Sequence, residues 1–108
     1  MARETDLQEI MRILRAKLPE LVEEYHVATL ELFGSYVRHE QRRDSDLDVL
    51  VTFSKTPSLL KFIRLENHLS DVLGVKVDLV MRDSLKAAIG QNILREVVRV
   101  GVAFMAIT

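Results

Sequence analysis

Two carboxylates stand one residue apart in this sequence, in the segment Asp46-Leu47-Asp48-Val49-Leu50-Val51. Alternation of polar and apolar residues over 46–53 predicts a strand, on which residues two apart point to the same face. The Cα atoms of Asp46 and Asp48 would then lie about 6.5 to 7 Å apart, so both carboxylates could reach one or two magnesium ions. Two such ions can hold the attacking and leaving oxygens of a phosphoryl displacement. Asp46 and Asp48 are therefore candidate metal ligands for chemistry on a nucleotide.

Gly34 and Ser35 add a candidate site for the phosphates of that nucleotide. Glycine lets the backbone turn sharply and approach a phosphate closely, and Ser35 at the start of a short helix would offer a hydroxyl and backbone N–H donors. Arg38 follows one helical turn later and can neutralise phosphate charge, as can Arg42 or Arg43. Taken singly, these arginines are more often solvated surface charges, and only Arg38 is retained as a nucleotide-binding candidate.

Asp78 is the third candidate, because it lies on the polar side of the alternating segment Val77-Asp78-Leu79-Val80. Beside the other two carboxylates it could be a further metal ligand or accept the proton of an attacking hydroxyl. Three clustered carboxylates repel one another unless a cation is present, so the constellation predicts dependence on Mg²⁺.

The elements that must position these residues can be predicted from the spacing of apolar residues. A helix is indicated over 7–18, with Thr5 and Gln8 as a capping box and Pro19 as a break or kink. Strands are expected over 27–33, 46–53 and 75–81, with the charged stretch 35–45 at the surface as a short helix and a turn. A second helix is expected to begin at 56–58, to end at Gly74, and to bury a stripe of Leu59, Phe62, Ile63, Leu69, Val72 and Leu73.

After the third strand, Asp83 or Ser84 would cap a last helix that ends near Gly101, and 102–107 would form a short strand or packed tail. This order of elements predicts an α/β fold, in which helices cover one face of a small mixed sheet of three to four strands. The other face would be at least partly open, and the aspartates would lie there.

Composition limits the classes of function that the chain can serve. Its 108 residues, 48% hydrophobic and 29% charged, fit one domain over 1–108. There is no cysteine, which excludes thiolate metal sites and thiol nucleophiles. A formal net charge of −1 argues against DNA as a partner, and no segment predicts a signal peptide or membrane span. We expect a cytoplasmic protein.

These residues also resemble a known family. Leu32-Phe33-Gly34-Ser35, ten intervening residues and then Asp46-Leu47-Asp48 look like the GS-x10-DxD motif of the DNA polymerase β nucleotidyltransferase superfamily. The similarity is specifically to the minimal nucleotidyltransferases (MNT) of prokaryotes. The stretches 64–66, 73–80 and 93–96 are similar to later segments of that family, so the resemblance covers nearly all residues from Val27 to Val98. His39 departs from the family, which commonly has glycine at that position.

The resemblance implies a palm-type nucleotidyltransferase fold, with Gly34 and Ser35 at the phosphates of ATP, Asp46 and Asp48 on two Mg²⁺ ions, and Asp78 as the third acidic position. It also implies an activity, the transfer of AMP to a tyrosine hydroxyl of a helical HEPN protein. HEPN proteins are candidate RNase toxins, and the MNT protein would be the antitoxin in a hetero-oligomer with its toxin.

Two other functions remain compatible with the sequence. The chain could be an antitoxin that masks its partner by binding alone, without catalysis. It could also transfer a nucleotide to a small molecule, for which a chain of this size would need an acceptor pocket supplied by an oligomer. An isolated Asp-x-Asp would itself be more simply explained as polar residues on the exposed face of a strand, and the correctly spaced Gly34-Ser35 is what favours catalysis.

Overall fold

The computed structural model describes residues 7–42, 44–84 and 97–102, with only the backbone for 101 and 102. Four strands form one mixed sheet in the order β3-β2-β1-β4. They are β1 (Val27–Phe33), β2 (Leu47–Phe53), β3 (Val77–Met81) and β4 (Val98–Val102). β1 is antiparallel to both β2 and β4, whereas β2 and β3 are parallel. The predicted α/β class with a small mixed sheet is confirmed.

The two described α-helices, α1 (Leu7–Tyr25) and α2 (Leu59–Leu73), pack on one face of this sheet, and a single 3-10 turn over Arg82–Ser84 follows β3. Parallel strands need a crossover connection, and α2 provides it between β2 and β3. The core between helices and sheet contains Ile10, Leu14, Leu21, Leu30, Leu32, Leu47, Val49, Val51, Leu65 and Leu69, all fully buried. Neither described helix is long and apolar enough to cross a membrane.

α1 continues through Pro19 to Tyr25 and is not broken there, contrary to one of the two outcomes expected at that residue. A proline inside a helix removes one backbone hydrogen bond, at a cost of about 3 kcal/mol. Leu14 before it and Leu21 after it are both fully buried, so packing holds both halves of α1 against the sheet. The proposed capping residue Thr5 lies outside the described residues.

α2 begins and ends where the sequence predicted. The hydroxyl of Ser58 accepts a hydrogen bond from the Lys61 N–H, and Gly74 adopts the left-handed conformation at the other end, with φ of 70°. The predicted apolar stripe was partly wrong. Leu59 and Ile63 are exposed, and the buried residues are Leu65, Leu69 and Leu73, because the first turn of α2 extends beyond the core.

The C-terminal end of the chain differs from the sequence prediction. Residues 98–101, expected to end a last helix, belong to β4, which pairs with β1. β-branched residues at 98, 100 and 102 favour a strand, and Val100 joins the core. The rest of the predicted helix, residues 85–96, lies outside the described residues, as does most of the predicted tail.

α2 also protects the outer edge of β3, which is an edge strand of the sheet. Oε2 of Glu66 accepts a hydrogen bond from the Leu79 N–H at 2.9 Å, and Oγ of Ser70 accepts one from the Val77 N–H at 3.0 Å. Two side chains of the crossover helix thus satisfy backbone donors that an edge strand would otherwise present for pairing with another chain. They also fix β3, and with it Asp78, against α2.

We expect Glu66→Ala to lower the free energy of unfolding by about 1 to 3 kcal/mol, because the Leu79 N–H loses a charged acceptor. Glu66→Gln retains an acceptor oxygen and should lose less. Urea denaturation measures both values, and Glu24→Ala, an exposed position on α1, is the control. An equal effect of Glu66→Ala and Glu24→Ala would contradict this role of Glu66.

Candidate active site

Asp48 and Asp78 lie side by side on neighbouring strands. They are direct partners in the parallel register of β2 and β3, whose axes lie about 4.8 Å apart. Both point away from the core, because Val49 and Leu79, their neighbours in sequence, are buried beneath the helices. We call the face that carries Asp48 and Asp78 the aspartate face. Asp78 is exposed and Asp48 is partly buried.

Asp46 precedes this pair and lies just outside the strand that was predicted to include it. β2 begins at Leu47, whose N–H donates to the Lys76 carbonyl at 2.8 Å. Within the described residues, no three carboxylate or histidine side chains are grouped closely enough to hold a metal ion together. Magnesium is commonly bound by only one or two carboxylates together with substrate phosphates and waters. The donor set of Asp48 with Asp46 or Asp78 therefore fits Mg²⁺.

Gly34 directly contacts Asp48. Phe33, the last residue of β1, is the register partner of Asp48, so the turn that begins at Gly34 passes beside this carboxylate. Gly34 has φ of 86°, and a Cβ built on it would overlap Oδ2 of Asp48. Only glycine allows both the left-handed conformation and this approach. The spacing between Gly34 and Asp48 in the sequence thus corresponds to a physical contact.

Residues 35–39 form hydrogen-bonded turns, and the short helix predicted after Gly34 is not present among the described residues of the 35–45 segment. The Arg38 N–H donates to the Gly34 carbonyl at 3.2 Å, and the Glu40 N–H to the Ser35 carbonyl at 2.8 Å. His39 has φ of 59°, which ends the helical turn. Glycine adopts this left-handed conformation without steric cost, and His39 adopts it here.

Ser35 follows Gly34 in this turn and is partly buried, whereas Arg38 is at the surface. Nε of Arg38 lies 3.0 Å from Oε1 of Glu40, and 46% of the Arg38 side chain is exposed. An exposed ion pair of this kind contributes little to stability. Arg42 is exposed as well, and Arg43 lies outside the described residues.

The aspartate face carries a second charged group, which the sequence analysis did not identify. Glu31 on β1 is only 3% exposed, and its carboxylate binds two arginines. Nη1 of Arg82 lies 3.0 Å from Oε1, and Nη2 of Arg99 lies 3.5 Å from Oε2. The sequence could have revealed this group through a glutamate that lies between Leu30 and Leu32 in a buried strand. A buried carboxylate requires cationic partners.

The aspartate face is not open over its whole area. Phe33 is 8% exposed and Leu50 is 1% exposed, although neither belongs to the core beneath the helices. Solvent reaches this face at Asp78, in part at Asp48, and at the exposed Arg99. The aspartate face is therefore accessible both at the two aspartates and beside Glu31.

A glycine turn at the end of β1 thus lies against a carboxylate of β2, and a second carboxylate lies beside it on β3. The family model described as "Nucleotidyltransferase domain" matches residues 11–100. The chain belongs to this family.

Individual relatives agree with this assignment. The protein adenylyltransferase MntA of Thermococcus cleftensis is 54% identical over 94 residues, which cover 87% of this chain and 95% of that protein. A solved structure described as a minimal nucleotidyltransferase is 35% identical, with a TM-score of 0.73 over 90% of this chain and 98% of the other. A toxin–antitoxin structure with AMP-PNP is 26% identical, with a TM-score of 0.67 over 82% and 73% of the two chains. The predicted resemblance to minimal nucleotidyltransferases and the enzyme class, nucleotidyltransferase, are confirmed.

The contact between Gly34 and Asp48 can be tested with a matched glycine. We expect Gly34→Ala to lower the free energy of unfolding by about 2 to 4 kcal/mol, through backbone strain and overlap with Asp48. Gly74 has φ of 70° but no atom within 4 Å of a built Cβ. Gly74→Ala should therefore cost only the strain, about 1 kcal/mol. Equal losses in thermal or urea denaturation would mean that Asp48 does not approach Gly34.

The left-handed histidines allow a second comparison. His39 and His26 both have φ of 59°, and the His26 N–H caps α1 by donating to the Val22 carbonyl at 3.0 Å. We expect His39→Gly and His26→Gly each to raise the free energy of unfolding by about 0.5 to 1 kcal/mol, because glycine adopts this conformation without steric cost. Calorimetry that finds either variant less stable would contradict the assigned conformation.

Proposed function

We propose that this protein is a Mg²⁺-dependent adenylyltransferase that transfers AMP from ATP to a tyrosine hydroxyl of a cognate HEPN toxin, and that it acts as the antitoxin. The observation that carries the proposal is the register pairing of Asp48 with Asp78 beside the Gly34 turn. This arrangement places metal-binding carboxylates next to a backbone that a phosphate can approach.

Each candidate residue has its own role in the proposed reaction. Asp46 and Asp48 would hold Mg²⁺, with two ions expected, and Gly34, Ser35 and Arg38 would bind the phosphates of ATP. When bound, Mg²⁺ neutralises charge on the phosphates and on the departing pyrophosphate. The acceptor oxygen forms a bond to the α-phosphorus, the bond to the bridging oxygen breaks, and pyrophosphate leaves with the electron pair.

Asp78 is suited to receive the proton of the acceptor hydroxyl. It lies beside Asp48 yet is exposed, so a side chain from another protein can reach it. A general base must lie within hydrogen-bond reach of the proton that it accepts, and the exposed Asp78 would allow an acceptor hydroxyl to come within that reach from solvent. As a third metal ligand, Asp78 would instead help to hold Mg²⁺, which would supply Lewis-acid activation of the hydroxyl.

A protein acceptor is supported by the relatives. The Thermococcus cleftensis relative is named as a protein adenylyltransferase, and a structural neighbour is a toxin–antitoxin complex with AMP-PNP. In this proposal the residues around Gly34 and Asp48 supply the nucleotide half of the site. A second protein that brings its own hydroxyl would complete the site.

The transferase activity can be tested by following α-labelled ATP into the proposed HEPN partner. We expect labelling that requires Mg²⁺ and stops with EDTA, and a decrease of about 100-fold or more for Asp46→Asn and Asp48→Asn, because each removes a metal ligand. Asp71→Asn, at an exposed position on α2, is the control and should label normally. Equal labelling by Asp48→Asn and the unmodified protein would exclude this mechanism.

The same variants separate catalysis from masking in cells. We expect Asp48→Asn to bind the toxin in a pull-down but no longer to protect cells that express it. If Asp48→Asn protects cells and mass spectrometry finds no adenylate on the toxin, neutralisation occurs by binding alone.

A further inference from the structure

The buried Glu31 and its two arginines form a charged row on the aspartate face, next to the row that contains the aspartates. Glu31 is the register partner of Leu50 on β2 and of Arg99 on β4. Leu50 lies two residues after Asp48, so the two rows are separated by about 6.5 to 7 Å. Arg82 follows β3 and reaches Glu31 on β1, so its side chain extends over the intervening strand β2. We call Arg82, Glu31 and Arg99 the arginine cluster.

The arginine cluster carries a net positive charge and remains accessible. One carboxylate, 4% exposed, is shared by two guanidinium groups whose side chains are 35% and 58% exposed. Each guanidinium has five N–H donors, and the contacts with Glu31 occupy one nitrogen of each arginine. An arginine held by a buried carboxylate loses little further entropy when it binds an oxyanion, and its planar donors suit carboxylate and phosphate.

The position of the arginine cluster indicates which substrate it faces. Along β1 the order is Glu31, Phe33 and then the Gly34 turn, and Phe33 is the register partner of Asp48. The aspartate row thus lies between the Gly34 turn and the arginine cluster. The attacking and leaving oxygens of a phosphoryl transfer lie roughly in line. If pyrophosphate leaves towards Gly34 and Ser35, the acceptor must approach from the opposite side, where the arginine cluster lies.

We propose that Arg82 and Arg99, held by Glu31, bind an oxyanion on the acceptor and so select which hydroxyl receives AMP. The proposal rests on the proposed adenylyltransferase function and assigns its acceptor side. Arg82 and Arg99 are then specificity-determining residues, and Glu31 is a positioning residue that acts through them. The oxyanion is a carboxylate of the acceptor protein close to its hydroxyl, or the phosphodiester of an AMP that has already been attached.

The test is a steady-state measurement of AMP transfer to the HEPN partner. We expect Arg82→Ala and Arg99→Ala to raise KM for the partner by roughly 10- to 100-fold, the effect of losing one charge-assisted hydrogen bond, with KM for ATP unchanged. Each single variant leaves Glu31 one cationic partner. Arg64→Ala, which removes the same charge from an exposed position on α2, should leave both KM values unchanged.

Conservative variants distinguish recognition from a purely structural role. Arg82→Lys and Arg99→Lys keep the charge next to Glu31 but lose the planar donors, so thermal stability should be retained while KM for the partner still rises. Glu31→Gln should raise KM for the partner as well, because a neutral amide no longer forms ion pairs with the two arginines. Unchanged KM for the partner in all of these variants, with normal transfer by the unmodified protein, overturns the proposal alone. Absence of transfer by the unmodified protein overturns the adenylyltransferase function and this proposal with it.

The number of adenylate increments on the partner identifies the source of the oxyanion. If the arginine variants slow the addition of the first AMP, the oxyanion belongs to the acceptor protein. If they slow only the addition of later AMP groups, the oxyanion is the phosphodiester of an AMP that was added earlier. Mass spectra in which the arginine variants match the unmodified protein at every increment contradict both assignments.

Discussion

The close approach of the Gly34 backbone to the Asp48 carboxylate is the constraint on which the site depends. It requires β1 to end at Phe33 and β2 to bring Asp48 opposite that end, which the antiparallel register provides. It also requires a residue without a Cβ, in a conformation with positive φ. Once Asp48 is placed in this way, the parallel pairing with β3 brings Asp78 beside it, and α2 is the connection that parallel pairing demands.

Much of this arrangement could be predicted from the sequence, because the relevant signals are local. Alternation identified the strands around Asp48 and Asp78, and Gly74 marked the end of α2. The misses arose where tertiary packing decided the outcome. Pro19 lies inside a continuous helix because buried leucines hold both halves, and the first turn of α2 exposes Leu59 because the core does not reach it. No local pattern reports such effects.

The arginine cluster illustrates a different limit of sequence reasoning. Glu31, Arg82 and Arg99 are far apart in the chain, and only the order of strands in the sheet brings them together. A lone glutamate in an apolar strand indicates that partners exist but not which ones. The aspartate face consequently carries opposite charges in adjacent rows, with carboxylates in one row and guanidinium groups in the other. A site divided in this way suits a reaction between two substrates that enter from different sides.

The most direct test of the account is a crystal structure with Mn²⁺ and a non-hydrolysable ATP analogue, in which anomalous scattering locates the metal. We predict anomalous peaks within coordination distance of the carboxylates of Asp46 and Asp48, with the phosphates of the analogue against the backbone of Gly34 and Ser35. The same experiment with Asp48→Asn should lose the metal peaks. Metal or phosphates bound elsewhere on the protein, with Asp48 not coordinated, would contradict the assignment of this site.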